Sequence, residues 1–172
     1  MRRALISIVG DGAVPEGSDK LRLAEEMGRL LVEAGHRVLT GGMGGVMQAA
    51  HRGARKADGY RPGDTVGVLP GPEADDANPF CDVVIPSGLG HARNAIVARA
   101  DAVIAIGGGA GTLSEVALAW VYQRLVIGFR VDGWSGQLAG QPVDPRPRFA
   151  GITDDVVFGV DTPYEAMGVL DK

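Results

Sequence analysis

Ala102–Tyr122 reads AVIAIGGGAGTLSEVALAWVY. Its first five residues are an apolar, β-branched run, its middle is glycine at 107, 108, 109 and 111, and its end has a helical pattern. That order is strand, tight turn, helix. The glycines free the backbone to take positive φ and to approach a ligand without Cβ atoms in the way. The first turn of the following helix offers N–H groups with no intrahelical acceptor, and an anion suits such a place. Thr112 adds a hydroxyl, and Glu115 stands about one turn further on, within reach of a ligand whose phosphate the loop holds. The same residues also read as a capping box, with Thr112 at the N-cap and Glu115 at N3, serving the helix alone.

Working outward, the same alternation recurs along the chain. Ala4–Val9 (ALISIV) is a continuous apolar run suited to a strand buried on both faces, and Gly10–Gly17 breaks it. From Ser18 a helix follows with Leu23, Met27, Leu30, Leu31 and Ala34 at helical spacing; Gly35 stops it, and His36–Thr40 is extended. The glycine turn Gly41–Gly45 (GGMGG) opens a second helix, Val46–Ala57. Thr65–Leu69 and Cys81–Ile85 are further strands around the polar, proline-containing loop 71–79, and a helix is expected from Leu89 to Ala100 with Ile96 and Ala100 inward. Leu125–Gly128 continues the sheet beyond the opening stretch. Val131–Arg148, rich in glycine and proline, reads as an excursion over the surface, either a lid or a connecting loop pinned by Trp134. Val156–Val160 is a last strand, and Thr162–Leu170 a closing helix with Thr162 as N-cap and Pro163 in first position. Strands alternating with helices throughout specify an α/β fold, a Rossmann-like doubly wound parallel sheet in a single domain over residues 1–172.

Composition narrows the function. A net charge of −4 leaves no basic footprint for nucleic acid, and neither a polybasic segment nor a long apolar run points to a membrane. The single Cys81 forms no internal disulfide and the N-terminus has no signal-type apolar core, so a cytoplasmic protein is expected. Three histidines and one cysteine, widely separated, give no metal-ligand spacing, so no metal site is expected.

Ligands of such a sheet sit beyond the carboxyl ends of its strands. The dinucleotide fingerprint fails there, because the first turn is GDGAVP with Pro15 where the third glycine belongs. The ATP-binding P-loop fails too, since neither Lys20 nor Lys56 has the required glycine spacing. Arg93, in HARN, starts a helix one strand before Glu115, so both should project above the same sheet edge. Its guanidinium suits a phosphate or carboxylate, or pairs with Glu115. His91 and Asn94 either cap or touch the ligand, whereas His36 and His51 read as surface residues.

GGMGGVMQAAHRGA, HARN and GGGAGTLSE together, in this order, resemble the Lonely Guy family, long mislabelled lysine decarboxylases, within the SLOG Rossmann-like superfamily that includes the DNA-processing protein A. The resemblance covers roughly residues 4–128. It implies a phosphoribohydrolase that cleaves the N-glycosidic bond of a nucleoside 5′-monophosphate to base and ribose 5-phosphate, without decarboxylase activity and without a required cofactor. By that resemblance Arg93 and Glu115 are the catalytic pair. The same resemblance implies that Gly108, Gly109, Gly111 and Thr112 form the phosphate loop, and Gly42, Gly44, Gly45 and Asn94 are expected as further ligand-binding residues. Ile106 and Ser114 stand where the enzymes have a proline and a second acid, and HARN replaces their HERK. These departures resemble the bacterial branch similar to molybdenum-cofactor carrier proteins, which implies the alternative of a non-catalytic carrier of that phosphorylated pterin, or a nucleotide sensor. Finally, the helix after the glycine loop is apolar nearly all round. It therefore needs two partners, the sheet and either a second subunit in a homodimer or another segment of this chain.

Overall fold

The strand Leu5–Gly10 (β1) lies at the centre of a seven-stranded, all-parallel sheet. With β2 (Arg37–Thr40), β3 (Thr65–Leu69), β4 (Val83–Pro86), β5 (Ala102–Ile106), β6 (Leu125–Phe129) and β7 (Phe158–Val160), the order is β4-β3-β2-β1-β5-β6-β7. The computed structural model describes residues 2–171. The chain winds outward from β1 to one edge, returns beside β1 as β5, and winds to the other edge. The switch point between β1 and β5 is where such a sheet opens a crevice at its carboxyl ends.

Successive side chains of a strand face opposite ways, which explains the unbroken apolar runs. Ile6 and Ile8 of β1, with Ile104, Ile106, Ile127 and Phe129, pack under α1 (Asp19–Glu33), α2 (Val46–Arg55) and α6 (Pro163–Leu170). Val9, Leu39, Val68, Val103, Ala105 and Val126 pack on the other face against α3 (Asn94–Val97) and α4 (Ala110–Val121). Ser7 shares that second face, and its hydroxyl donates to the Val97 carbonyl at 2.6 Å. Ser18 and Thr162 cap α1 and α6 through their side chains, and Pro163 opens α6 as its position suggests.

Four expectations need correction. The helix foreseen over 89–100 is a 3-10 turn, Gly90–Arg93, followed by only four residues of α3; Ala100 is buried but Ile96 is 42% exposed. Gly88 and Gly90 both have positive φ, so no α-helix can run through residues 88–90. The capping box fails because α4 begins at Ala110 after Gly109, leaving Thr112 third and Glu115 sixth in the helix. Residues 131–148 are not featureless: Trp134–Leu138 forms a short helix, α5. His51 is fully buried, not on the surface, and His36 is half-buried. Smaller shifts move the fourth strand two residues later and leave Ala34 exposed at the end of α1.

The far face of α4 is covered in part by its own chain. The Arg148 guanidinium stacks 3.6 Å above the Trp120 ring and forms a two-pronged pair with Asp155 at 2.6 and 2.7 Å. Val121, at the end of α4, remains 67% exposed.

Candidate functional site

At the switch point the loops after β1, β2 and β5 and the 3-10 turn before α3 enclose a cavity of about 210 Å³. Asp11, Gly12, Gly41, Met47, His91, Arg93, Asn94, Gly109, Gly111, Thr112 and Glu115 line it, with Val9 and Gly10 beneath. Of the residues singled out from sequence, Arg93, Glu115, Asn94, Gly109, Gly111 and Thr112 therefore share one cavity. Gly42, Gly44 and Gly45 lie outside the lining, in backbone packing: a Cβ on Gly45 would stand 2.2 Å from the Asp11 carbonyl, and one on Gly42 2.7 Å from the Leu69 side chain.

The glycines after β5 divide into two kinds. Gly107 and Gly108 have positive φ, and their peptide groups are used within the protein. Gly107 N–H donates to Ser135 Oγ (2.7 Å), while the Gly107 and Gly108 carbonyls accept from the N–H groups of Ser135 and Trp134 in α5. Gly108 N–H donates to Asp11 Oδ2 at 3.0 Å, and the same oxygen receives Lys20 Nζ at 2.7 Å. Gly109 has negative φ, Gly111 is helical, and a Cβ at either would meet nothing within 4 Å. They leave space. The first N–H of α4 to reach back is that of Leu113, to Gly109 O, so the N–H groups of Ala110, Gly111 and Thr112 have no intrahelical acceptor. A helix start of this kind favours an anion.

Arg93 and Glu115 meet as their positions suggested: Nη1 donates to Glu115 Oε1 at 3.1 Å. Nη1 also donates to Asn94 Oδ1 at 2.5 Å; Asn94 Nδ2 donates to Ser114 Oγ (2.8 Å), which donates to the Gly111 carbonyl (2.6 Å). Asn94 is thus engaged in holding Arg93 and α4 together. Gly41 makes room for the guanidinium, since a Cβ there would stand 2.6 Å from Arg93 Nη2. Arg93 is only 9% exposed, and its Nε is buried without a hydrogen-bond partner. Burial pushes the Glu115 carboxyl up to about 7, against the pull of Arg93.

Beneath the GGMGG turn lies a neutral network. The Asn78 amide nitrogen donates toward His51 Nδ1 (3.2 Å), so His51 Nε2 carries the proton toward Thr40 Oγ1 (3.2 Å), which also accepts Gly42 N–H at 2.9 Å. Asn78 also holds the Met43 carbonyl at 3.1 Å. Burial drives the His51 ring down to about 4.

These two buried groups give opposite pH dependences. His51, depressed when folded, favours the unfolded chain as pH falls from about 6.5 toward 4. Glu115, raised when folded, contributes stability in its neutral form that is lost as pH rises from about 4.5 through 7. Glu115→Gln removes only the second. Between pH 7.5 and 5.0 the variant is expected to lose about 2 kcal/mol more stability than wild type, read by urea denaturation at the two pH values. Equal changes in both proteins would show that Glu115 titrates normally.

Asp11, Lys20, Gly41 and Ser135 were not singled out from sequence. Asp11 had a signal, an acid immediately after the first strand's glycine, but its contact with Gly108 spans 97 positions. Among the described residues no group of three or more His, Cys, Asp or Glu side chains is placed to hold a metal ion, and no helix is long and apolar enough to cross a membrane.

Residues 3–151, which include every wall of the cavity, match the model of the SLOG cluster4 family. The chain belongs to the SLOG cluster4 family. A relative from Archaeoglobus fulgidus, named only as an uncharacterized protein, is 40% identical over 120 residues, which is 69% of this chain and 75% of that protein. Among solved structures, the molybdenum cofactor binding protein of Rippkaea orientalis is 35% identical, with a TM-score of 0.78 over 99% of this chain and 97% of that one. The molybdenum cofactor carrier protein of Chlamydomonas reinhardtii is 28% identical, with a TM-score of 0.76 over 98% and 97%. This SLOG cluster4 chain therefore resembles cofactor carriers over its whole length, which favours the alternative reading of its sequence over the hydrolase.

Proposed function

We propose that this SLOG cluster4 chain binds the molybdenum cofactor, a phosphorylated pterin, and carries it without turning it over. The observation that carries this reading is an open helix start that shares one cavity with the guanidinium of Arg93. Gly111 and Thr112, whose N–H groups have no intrahelical acceptor, line one cavity with Gly109 and the Arg93 side chain. Those donors fit the phosphate end of the cofactor. The molybdenum cofactor proteins of Rippkaea orientalis and Chlamydomonas reinhardtii align with 99% and 98% of this chain. Asp11 and Lys20 brace the glycine loop behind the ligand.

One observation favours the second reading, nucleoside 5′-monophosphate phosphoribohydrolase. A carboxyl near 7 beside an anion cradle is poised as a general acid for a departing base. Against it, stabilising the positive ribose of the transition state needs an ionised carboxylate, and Glu115 is neutral below about 7 and already paired with Arg93 when ionised. A nucleotide sensor would use the same cradle without turnover.

Protein purified from cells that make the cofactor is expected to carry pterin, seen in its absorbance and as the fluorescent oxidation product, and Arg93→Ala is expected to lose it. Release of ribose 5-phosphate from any nucleoside 5′-monophosphate, abolished in Glu115→Gln, would overturn the carrier reading in favour of the hydrolase. Tight nucleotide binding without either result would make it a sensor. A homodimer through the exposed end of α4 is part of the proposal, resting on Val121, and a monomeric mass by light scattering would remove it.

A further inference from the structure

The guanidinium of Arg93 has two claimants. Among the described residues it is the one cation within hydrogen-bond reach of Glu115, a residue 6% exposed, and only one Arg93 nitrogen makes that contact, at 3.1 Å. That nitrogen also serves Asn94, while Nε has no partner at all. An anion entering between the start of α4 and Arg93, both of them walls of the cavity, competes for the guanidinium as a charge-assisted acceptor. Glu115 then faces a buried anion with its counter-charge diverted. Two buried negative groups sharing one cation are not both held ionised, and the group that can take a proton does so.

We propose that the cavity takes its anion together with a proton: the ligand draws Arg93 away from Glu115, and the carboxylate left behind is neutralised. This rests on the reading of the cavity as an anion site and adds a rule for loading and release. Loading is favoured as pH falls through neutrality, and rising pH returns Arg93 to Glu115 and expels the ligand.

Of the other groups facing the cavity, only His91 competes to take up this proton. Asp11 is engaged with Lys20 at 2.7 Å and with Gly108 N–H, on the far wall. His91 is exposed on the rim, Lys20 reaches the site only through Asp11, and the remaining walls come from glycines, Val9, Met47, Asn94 and Thr112. His91 is the one alternative proton acceptor, so it needs a control.

The probe is sulfate, a dianion that does not itself titrate near neutral pH. Protein labelled with carbon-13 at the Glu side-chain carboxyls is titrated from pH 5 to 9 with and without saturating sulfate, and Glu115→Gln assigns the resonance. The Glu115 midpoint is expected to rise by at least one pH unit with sulfate. Calorimetry at pH 7.5 in buffers of different ionisation enthalpy should show about half a proton or more taken up per sulfate by wild type and by His91→Gln, and none by Glu115→Gln. Sulfate-dependent shifts of the Gly111 and Thr112 amides with an unmoved Glu115 would overturn this proposal alone. Uptake lost in His91→Gln would also overturn it. Absence of any amide shift would overturn the anion site itself, and with it the function proposed above.

Discussion

Gly53→Val is expected to leave no stably folded protein. Helices α1 and α2 touch backbone to backbone: a Cβ on Gly53 would stand 1.7 Å from the Glu25 carbonyl oxygen, and one on Gly28 2.0 Å from that of Ala50. Both obstacles are main-chain atoms within helices, so no rotamer change relieves them. Overpacking a core by a methylene costs about 1–3 kcal/mol where side chains can adjust. Here the helices must separate, which opens the layer of Met27, Leu31, Val46 and Ala50 over β1 and tilts the start of α2, where the GGMGG turn enters. A loss of about 5 kcal/mol or more is expected, comparable with the whole stability of many domains. Gly168→Ala, on α6 with open space around its Cβ, is the contrast: it should gain up to about 1 kcal/mol. Urea unfolding of both variants, with soluble yield for the first, checks the pair. A Gly53→Val protein as stable as wild type would mean that the helices do not lie in this contact.

Gly111→Leu is expected to abolish ligand binding while leaving the fold intact. Gly111 lies in α4 with helical φ, so leucine suits the backbone better than glycine does, and its Cβ would meet no protein atom within 4 Å. Gly111 lines the cavity, so the leucine is expected to take up ligand space. Pterin retained on purification should fall at least about 100-fold, equivalent to about 2.7 kcal/mol, with an unchanged or slightly higher melting temperature. Unaltered retention would place the ligand elsewhere on the molecule. The same substitution at Gly108 would be uninformative. There φ is +93° and a Cβ would stand 2.2 Å from Thr112 Oγ1, so loss of binding and loss of structure could not be separated.

Most of the site's roster was legible in the sequence because its parts are local. A strand that runs into glycine and then into a helix produces a cradle wherever it occurs, and the carboxyl ends of parallel strands lie along one sheet edge; the return of Arg93 to the switch point was not local, because β4, which precedes it, is an edge strand with β3, β2 and β1 between it and β5. The roles of the individual glycines were not legible. Four glycines between Ile106 and Thr112 look alike in sequence, yet two turn the chain and are consumed by Asp11, Trp134 and Ser135, while two leave room for a ligand. Gly42, Gly44 and Gly45 looked like a second cradle, but their packing against Gly12, Asp11 and Leu69 is set by segments about 25 to 35 residues away.

The sequence by itself determined the alternation of strands and helices, the cap at Thr162, and the projection of Arg93 and Glu115 above one edge. Each follows from periodicity, a few turn residues and the rule that parallel strands present their carboxyl ends together. Tertiary structure alone decided that His51 is buried and neutral, that Asp11 clasps the glycine loop from across the switch point, and that Glu115 titrates near 7. The physical reason is common to all three: desolvation and hydrogen bonding act between groups that packing brings together, and no local pattern encodes how much water each one loses.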